Sequence, residues 1–287
     1  MVANQNSFDT ALLKRTWRTL NCTPKTMKVI REIQENLLCV GKRKELITKT
    51  KTETQCFCNQ TGLPLNSKHI ISCCRKVAGE INARHDMVVN ILLNNILLQR
   101  KLVTREQRWE DRKMVRTKTD EITVGTEHWR SEDMKGKGRV AGTKLKPDLV
   151  WLSKDSEGVW RKFVVDVQIT STEKMNDEFK KKDDKYREWT LQETREKKVA
   201  KAVMVPLIIS HDGAIHRDTV MRWKDYARDI KVDWVRMAQS VLRYNVVIVG
   251  SSSTNGNGSL RHGDEITKKS LLKKNLVVQR EWQRLKR

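Results

Sequence analysis

The stretch from Lys146 to Tyr186 constrains this chain more than any other. It holds two apolar runs, residues 148–152 and 160–169, joined by a link that contains Lys-Asp-Ser-Glu-Gly. Runs rich in β-branched and aromatic residues on either side of such a polar, glycine-containing link form a hairpin. Setting Asp148 opposite Asp166 places Leu149 against Val165 and Trp151 against Phe163, which makes one face wholly apolar. A slip of one residue would exchange the faces, so this register is favoured. Directly opposed residues lie about 5 Å apart, and two carboxylates that close repel unless a cation or a proton sits between them. Magnesium, a hard ion that takes carboxylate oxygens, meets that need at Asp148 and Asp166. The plainer alternative is a salt-bridged surface pair served by Lys146 and Lys162.

The residues after the hairpin read as a helix, with Thr170 or Thr172 able to cap it. Met175, Phe179, Tyr186 and Trp189 fall on its inward stripe, and Lys182 shares that stripe. A lysine turned toward a sheet needs an anionic partner, and the two aspartates supply one. Lys185 flanks the same face, whereas Lys180 and Lys181 point toward solvent or phosphate.

On the N-terminal side, spaced apolar positions from Phe8 to Leu37 among many Lys and Arg predict two helices within residues 8–50. Residues 56–74, CFCNQTGLPLNSKHIISCC, place Cys56, Cys58, His69 and Cys73 or Cys74 around a short turn. Soft thiolates and one imidazole in that order fit a small zinc knuckle; unliganded cysteines in a packed turn are the alternative. A long amphipathic helix is expected over 76–102, with His85 on its apolar stripe, where a histidine is most simply a core residue. Ile122 and Val124 alternate in a short strand leading to Glu127, and a loop rich in Gly and Lys follows. Beyond the central segment, 202–210 reads as a buried strand, two amphipathic helices follow, and 246–250 reads as another buried strand. The segment 251–260 has linker composition, and 261–287 forms a basic amphipathic tail.

Composition enters through charge. With 58 Lys and Arg against 35 Asp and Glu, the net charge is +23, which points to a polyanionic partner, nucleic acid first. No apolar run approaches the length that crosses a bilayer. The start lacks the pattern of a secretory signal, so a reducing compartment, with a nuclear location suiting the charge, is expected.

In order and motif the chain resembles the PD-(D/E)xK restriction-like nucleases, and more closely the endonuclease domain of site-specific, R-two-type non-LTR retrotransposons. The likeness covers roughly residues 50–215. It rests on Cys56, Cys58, His69 and Cys74; on Arg84, His85 and Asp86; on Lys146, Pro147 and Asp148; on Asp166; and on Lys182, Lys185 and Tyr186. The Cys-x-Cys spacing, the long gap between the two aspartates and the absence of a reverse transcriptase depart from the family's pattern.

The resemblance implies an α/β fold with a restriction-endonuclease-like core, an α-β-β-β-α-β mixed sheet flanked by helices. Its expected layout is a helical lead-in over 1–55, a CCHC-type knuckle over 56–75 and the nuclease domain over 76–250. It implies DNA cleavage dependent on magnesium or manganese, with Asp148 and Asp166 as metal ligands, Lys182 and Lys185 as catalytic lysines and Glu127 completing the metal shell. Arg84, His85, Lys146 and Tyr186 would then border the nucleic acid. Element RNA and a separately supplied reverse transcriptase are the further partners it implies. A catalytically inactive nucleic-acid-binding protein on the same fold, or a structural module, are the other classes.

Overall fold

The computed structural model describes residues 7–38, 40–49, 55–56, 58, 64–106, 114–126, 128–129, 144–155, 157–196 and 199–254. Glu127, residues 130–143 of the Gly- and Lys-rich loop, residues 255–260 of the linker and the basic tail lie outside these. The protein is mixed α/β, built on a five-stranded mixed sheet flanked by helices.

Three helices lead in, not two: α1 (Thr10–Thr19), α2 (Pro24–Gln34) and α3 (Gly41–Thr48). Asp9 and Thr23 cap the first two by accepting from the backbone N–H of Leu12 and Thr26. The third escaped notice because its apolar residues are not confined to one stripe, and its Leu46 and Ile47 are exposed. A short helix α4 (Ser67–Ser72) follows, and then the long α5 (Ala78–Gln99).

The sheet comprises β1 (Met114–Arg116), β2 (Asp120–Val124), β5 (Leu149–Lys154), β6 (Trp160–Thr170) and β7 (Lys201–Ser210), in that spatial order. The pair β3 (His128–Trp129) and β4 (Lys144–Leu145) forms a separate ribbon. The hairpin has the expected register, with Leu149 opposite Val165 and Trp151 opposite Phe163. Both of its faces are covered, however: Val150 and Val164 on the second face are as buried as their neighbours.

The first face packs on α5 and on α8 (Trp234–Thr254) through Val88, Leu92, Ile96, Met237 and Val241. The second packs on α6 (Met175–Arg195) through Tyr186 and Trp189. The helix α6 is the crossover between β6 and β7, the only parallel neighbours among the described strands. Neither Thr170 nor Thr172 caps it; the Thr172 hydroxyl donates instead to Asp212 at 2.8 Å.

Residues 246–250 are not a strand. They continue α8, whose buried positions Val241, Leu242, Asn245 and Ile248 recur at three- and four-residue spacing. The first residues assigned to the linker, 251–254, complete the same helix. The edge of β7 carries Pro206, tolerated there because its nitrogen faces away from the sheet. The helix α7 (Arg217–Tyr226) covers this edge, its Thr219 hydroxyl donating to the Pro206 carbonyl at 2.5 Å. The lead-in helices, the cysteine-bearing turn and the sheet belong to one compact unit that ends at Ser252.

Away from the candidate sites, Asp120 anchors the sheet to α5. Its carboxylate, 1% exposed, accepts from Arg100 Nε at 2.9 Å, Trp151 Nε1 at 3.0 Å and Thr119 Oγ1 at 2.8 Å. Burial alone would raise its pKa, but these donors outweigh burial and hold it below the ordinary aspartate value. Its stabilisation is therefore complete above that ordinary value and is lost as the pH falls through the lowered one. Replacing Asp120 by alanine, which leaves the Trp151 indole N–H without its acceptor and Arg100 paired with Asp229 alone, is expected to cost about 1–3 kcal/mol, read as a lower urea midpoint.

Candidate functional site

Asp148 and Asp166 come together as the register requires. Asp148 lies one residue before β5, and extending the ladder by that residue sets it across from Asp166 on β6. On the β5 side no strand residue is left to pair Val167, and the Asp148 carboxylate does so, Oδ2 accepting from Val167 N–H at 2.6 Å.

Asp166 projects from the α6 face of β6, two positions from Val164 and four from Lys162. The helix answers both charges. Lys182 Nζ donates to Asp166 Oδ1 at 2.6 Å and Lys185 Nζ to Oδ2 at 3.3 Å, while Lys162 pairs with Glu193 at 2.9 Å. Lys162 thus does not serve the aspartates, and Lys146 is exposed beside them. Side-chain exposure falls from 42% at Lys185 to 16% at Lys182 and 5% at Asp166, so Lys182 is the more enclosed of the two lysines. Tyr186 is wholly buried beneath them, its hydroxyl accepting from Lys185 at 2.8 Å. Burial, with the negative charge of Asp166, pushes that phenol far above its usual range.

The Arg-His-Asp stretch of α5 divides three ways. His85 reaches Asp148 through Nε2 at 3.1 Å and Asp86 through Nδ1 at 3.1 Å. Burial alone would lower its pKa; the hydrogen bonds and charges of Asp148 and Asp86 outweigh that and raise it to about 9. Asp148 is in turn held below its ordinary value despite burial, chiefly by His85. Arg84 turns the other way, 2% exposed, with Nη1 donating to Asn245 Oδ1 at 2.5 Å and facing His211 Nδ1 at 3.3 Å. Arg84 and Tyr186, which the resemblance sets at the border of the nucleic acid, are both buried. Sequence reasoning gave no role to Asp86 or His211. The signal for His211 was its place at the end of a buried strand, before an Asp-Gly turn.

The second cluster is Cys56, Cys58, His69 and Cys74, whose ligand atoms all lie within 4.8 Å of one another. Cys56 and Cys74 sulfurs are 3.6 Å apart, and Cys58 Sγ is 3.3 Å from His69 Nε2. Thiolates at the usual zinc distance of about 2.3 Å span a tetrahedral edge of about 3.8 Å, so this group could hold a metal ion such as zinc. Burial, aided by the Cys74 and Cys58 thiols, pushes the Cys56 thiol up to about 12, and burial keeps His69 below its ordinary value. A neutral imidazole and crowded thiols are the donor set a soft divalent ion completes. Cys73, exposed, lies on the far side of the ring, 3.4 Å from His69 Nδ1, which leaves Cys74 as the fourth ligand.

No helix among the described residues is long and apolar enough to cross a membrane. Neither a known protein-family model nor a curated protein matches this chain.

Proposed function

We propose that the protein is a magnesium-dependent DNA endonuclease with a restriction-like core, made of α5, β2, β5, β6, α6 and β7. The observation that carries this reading is the approach of Asp148 and Asp166 with Lys182 bonded to the second. Binding a polyanion gains nothing from two acids in a half-enclosed site; holding a divalent cation does.

Magnesium or manganese, when bound, would supply Lewis-acid stabilisation and an activated water at the scissile phosphate. Asp148 offers Oδ1, since Oδ2 is taken by Val167 and His85. Asp166 offers the oxygens that now face the lysines. Lys182 orients the attacking water or neutralises charge developing on the phosphate, and Lys185 lies behind it. Zinc in the Cys/His cluster supports the fold, and the exposed basic side chains of α1 and α2 add affinity. The product fits a nick whose 3′ end primes a separately supplied reverse transcriptase acting on element RNA, in the nucleus.

A second reading has its own observation. His85, Lys182 and Lys185 already balance both carboxylates, as a catalytically inactive nucleic-acid-binding protein on this fold would require. Supercoiled plasmid separates the two. The endonuclease is expected to nick it in magnesium or manganese and to stop in EDTA, whereas a protein that shifts DNA in a gel but leaves it intact in both metals is the binder. In either case affinity should fall with salt, with a slope of about 0.9 per phosphate neutralised.

A further inference from the structure

The helix α4 lies between two parts of the metal cluster, with His69 inside it and Cys74 just beyond it. Ser72, three residues after one ligand and two before the other, points out of the cluster. Its Oγ is 3.0 Å from His211 Nε2. The other nitrogen of that ring, Nδ1, faces Arg84 Nη1 at 3.3 Å. An arginine can only donate, so Nδ1 accepts, the ring is neutral and Nε2–H donates to Ser72. Burial and the Arg84 charge agree, pulling His211 down to about 3. Asn245 closes the arrangement, Oδ1 accepting from Arg84 and Nδ2 donating to the His211 carbonyl at 2.8 Å.

Arg84 has no carboxylate among the described partners, and its Nε, fully buried, has no hydrogen-bond acceptor. A guanidinium so placed depends on neutral acceptors, and burial lowers its pKa to about 10. Losing or misplacing one acceptor is costly for a buried charge. Its position is therefore sensitive to small movements of His211. The next residue on the same helix is His85, whose ring holds Asp148.

We propose that Ser72, His211 and Arg84 form a strut through which a metal ion in the Cys/His cluster fixes the setting of α5, and with it the contact between His85 and Asp148. These three are positioning residues, touching neither the metal nor the acids directly. The inference rests on the zinc reading of the cluster but not on nuclease activity. Coupling of this kind is reciprocal: whatever zinc does to α5, a disturbed strut does to zinc.

The test uses the full chain, zinc alone and chelator competition for affinity, with histidine side-chain NMR signals reporting His85. Zinc added to the metal-free wild type is expected to shift the His85 signals. Ser72→Ala, at an exposed position that leaves the fold intact, should bind zinc about 5-fold or more weakly and abolish most of that shift. Arg84→Lys, which keeps the charge but loses the fork, should weaken zinc by a similar factor although it alters no ligand. Unchanged zinc affinity in both Ser72→Ala and Arg84→Lys, or an unmoved His85 in the wild type, would overturn the strut. A wild type that binds no zinc at all would overturn the metal reading of the cluster instead, and is visible before any variant is made.

Discussion

Replacing Asp166 by alanine is expected to lower plasmid nicking in magnesium by about three orders of magnitude, several kcal/mol of lost transition-state stabilisation. DNA binding at low salt should persist. Asp166 lies at the centre of the charge arrangement, its two oxygens meeting Lys182 and Lys185. Without it a divalent ion loses one of two carboxylates, and the lysines lose their counter-ion and turn toward solvent or phosphate. Activity and affinity therefore part company: cutting falls while retention on DNA holds or rises. Asp166→Asn preserves shape and removes charge, so it should fail in cutting as the alanine variant does. Nicking by either variant at the wild-type rate would sink the endonuclease reading.

Stripping the Cys/His cluster should have the larger effect on stability. Cys58 and Cys74 are 4% and 2% exposed, and they pack with Ile33 of α2, Ile70 and Ile71 of α4, and Ile248 of α8. The cluster is thus part of a core shared by elements more than 200 residues apart in the chain. Structural zinc contributes folding free energy directly, of the order of 10 kcal/mol in small peptides, of which a preformed core would retain a share. A loss of about 3 kcal/mol or more is expected with a strong chelator, or with Cys74→Ser, lowering the melting temperature by roughly 6–12 °C. Metal analysis of the purified protein should find one zinc per chain, lost in the variant. An identical melting curve with and without chelator would show that the four side chains pack without an ion.

Much of the central architecture could be read from local pattern. The two apolar runs in residues 148–169 carried both the register and the cross-strand approach of the aspartates, because a slip of one residue would set each acid against an apolar residue. The spacing of Met175, Phe179, Tyr186 and Trp189 picked Lys182 out of its lysine run, since a helix sorts side chains by angle. What failed depended on distant partners. Arg84 resembles any surface arginine until Asn245 and His211, more than 120 residues away, enclose it. The run VVIVG has strand composition, but its helical phase with Val241 and Leu242 prevailed, because α8 buries that stripe against α2, α4 and α5. The pairing of Asp120 with Arg100 and with the Trp151 indole was missed for the same reason, since it forms only where β2 and β5 meet the end of α5.

The parallel pairing of β6 with β7 has a consequence for how the protein comes into being. Antiparallel neighbours can zip from a tight turn, but a parallel pair must wait for its crossover to be made and folded back. Lys182 and Asp166 are only 16 positions apart, yet the helix that brings them together rests on Met204 and Ile208 of the later strand. During synthesis the acids and lysines therefore emerge before the surface that aligns them. A nascent chain ending before Lys201 would carry every residue of the acid site, and its β5–β6 hairpin could already oppose the aspartates, but it would lack the surface on which α6 sets its lysines.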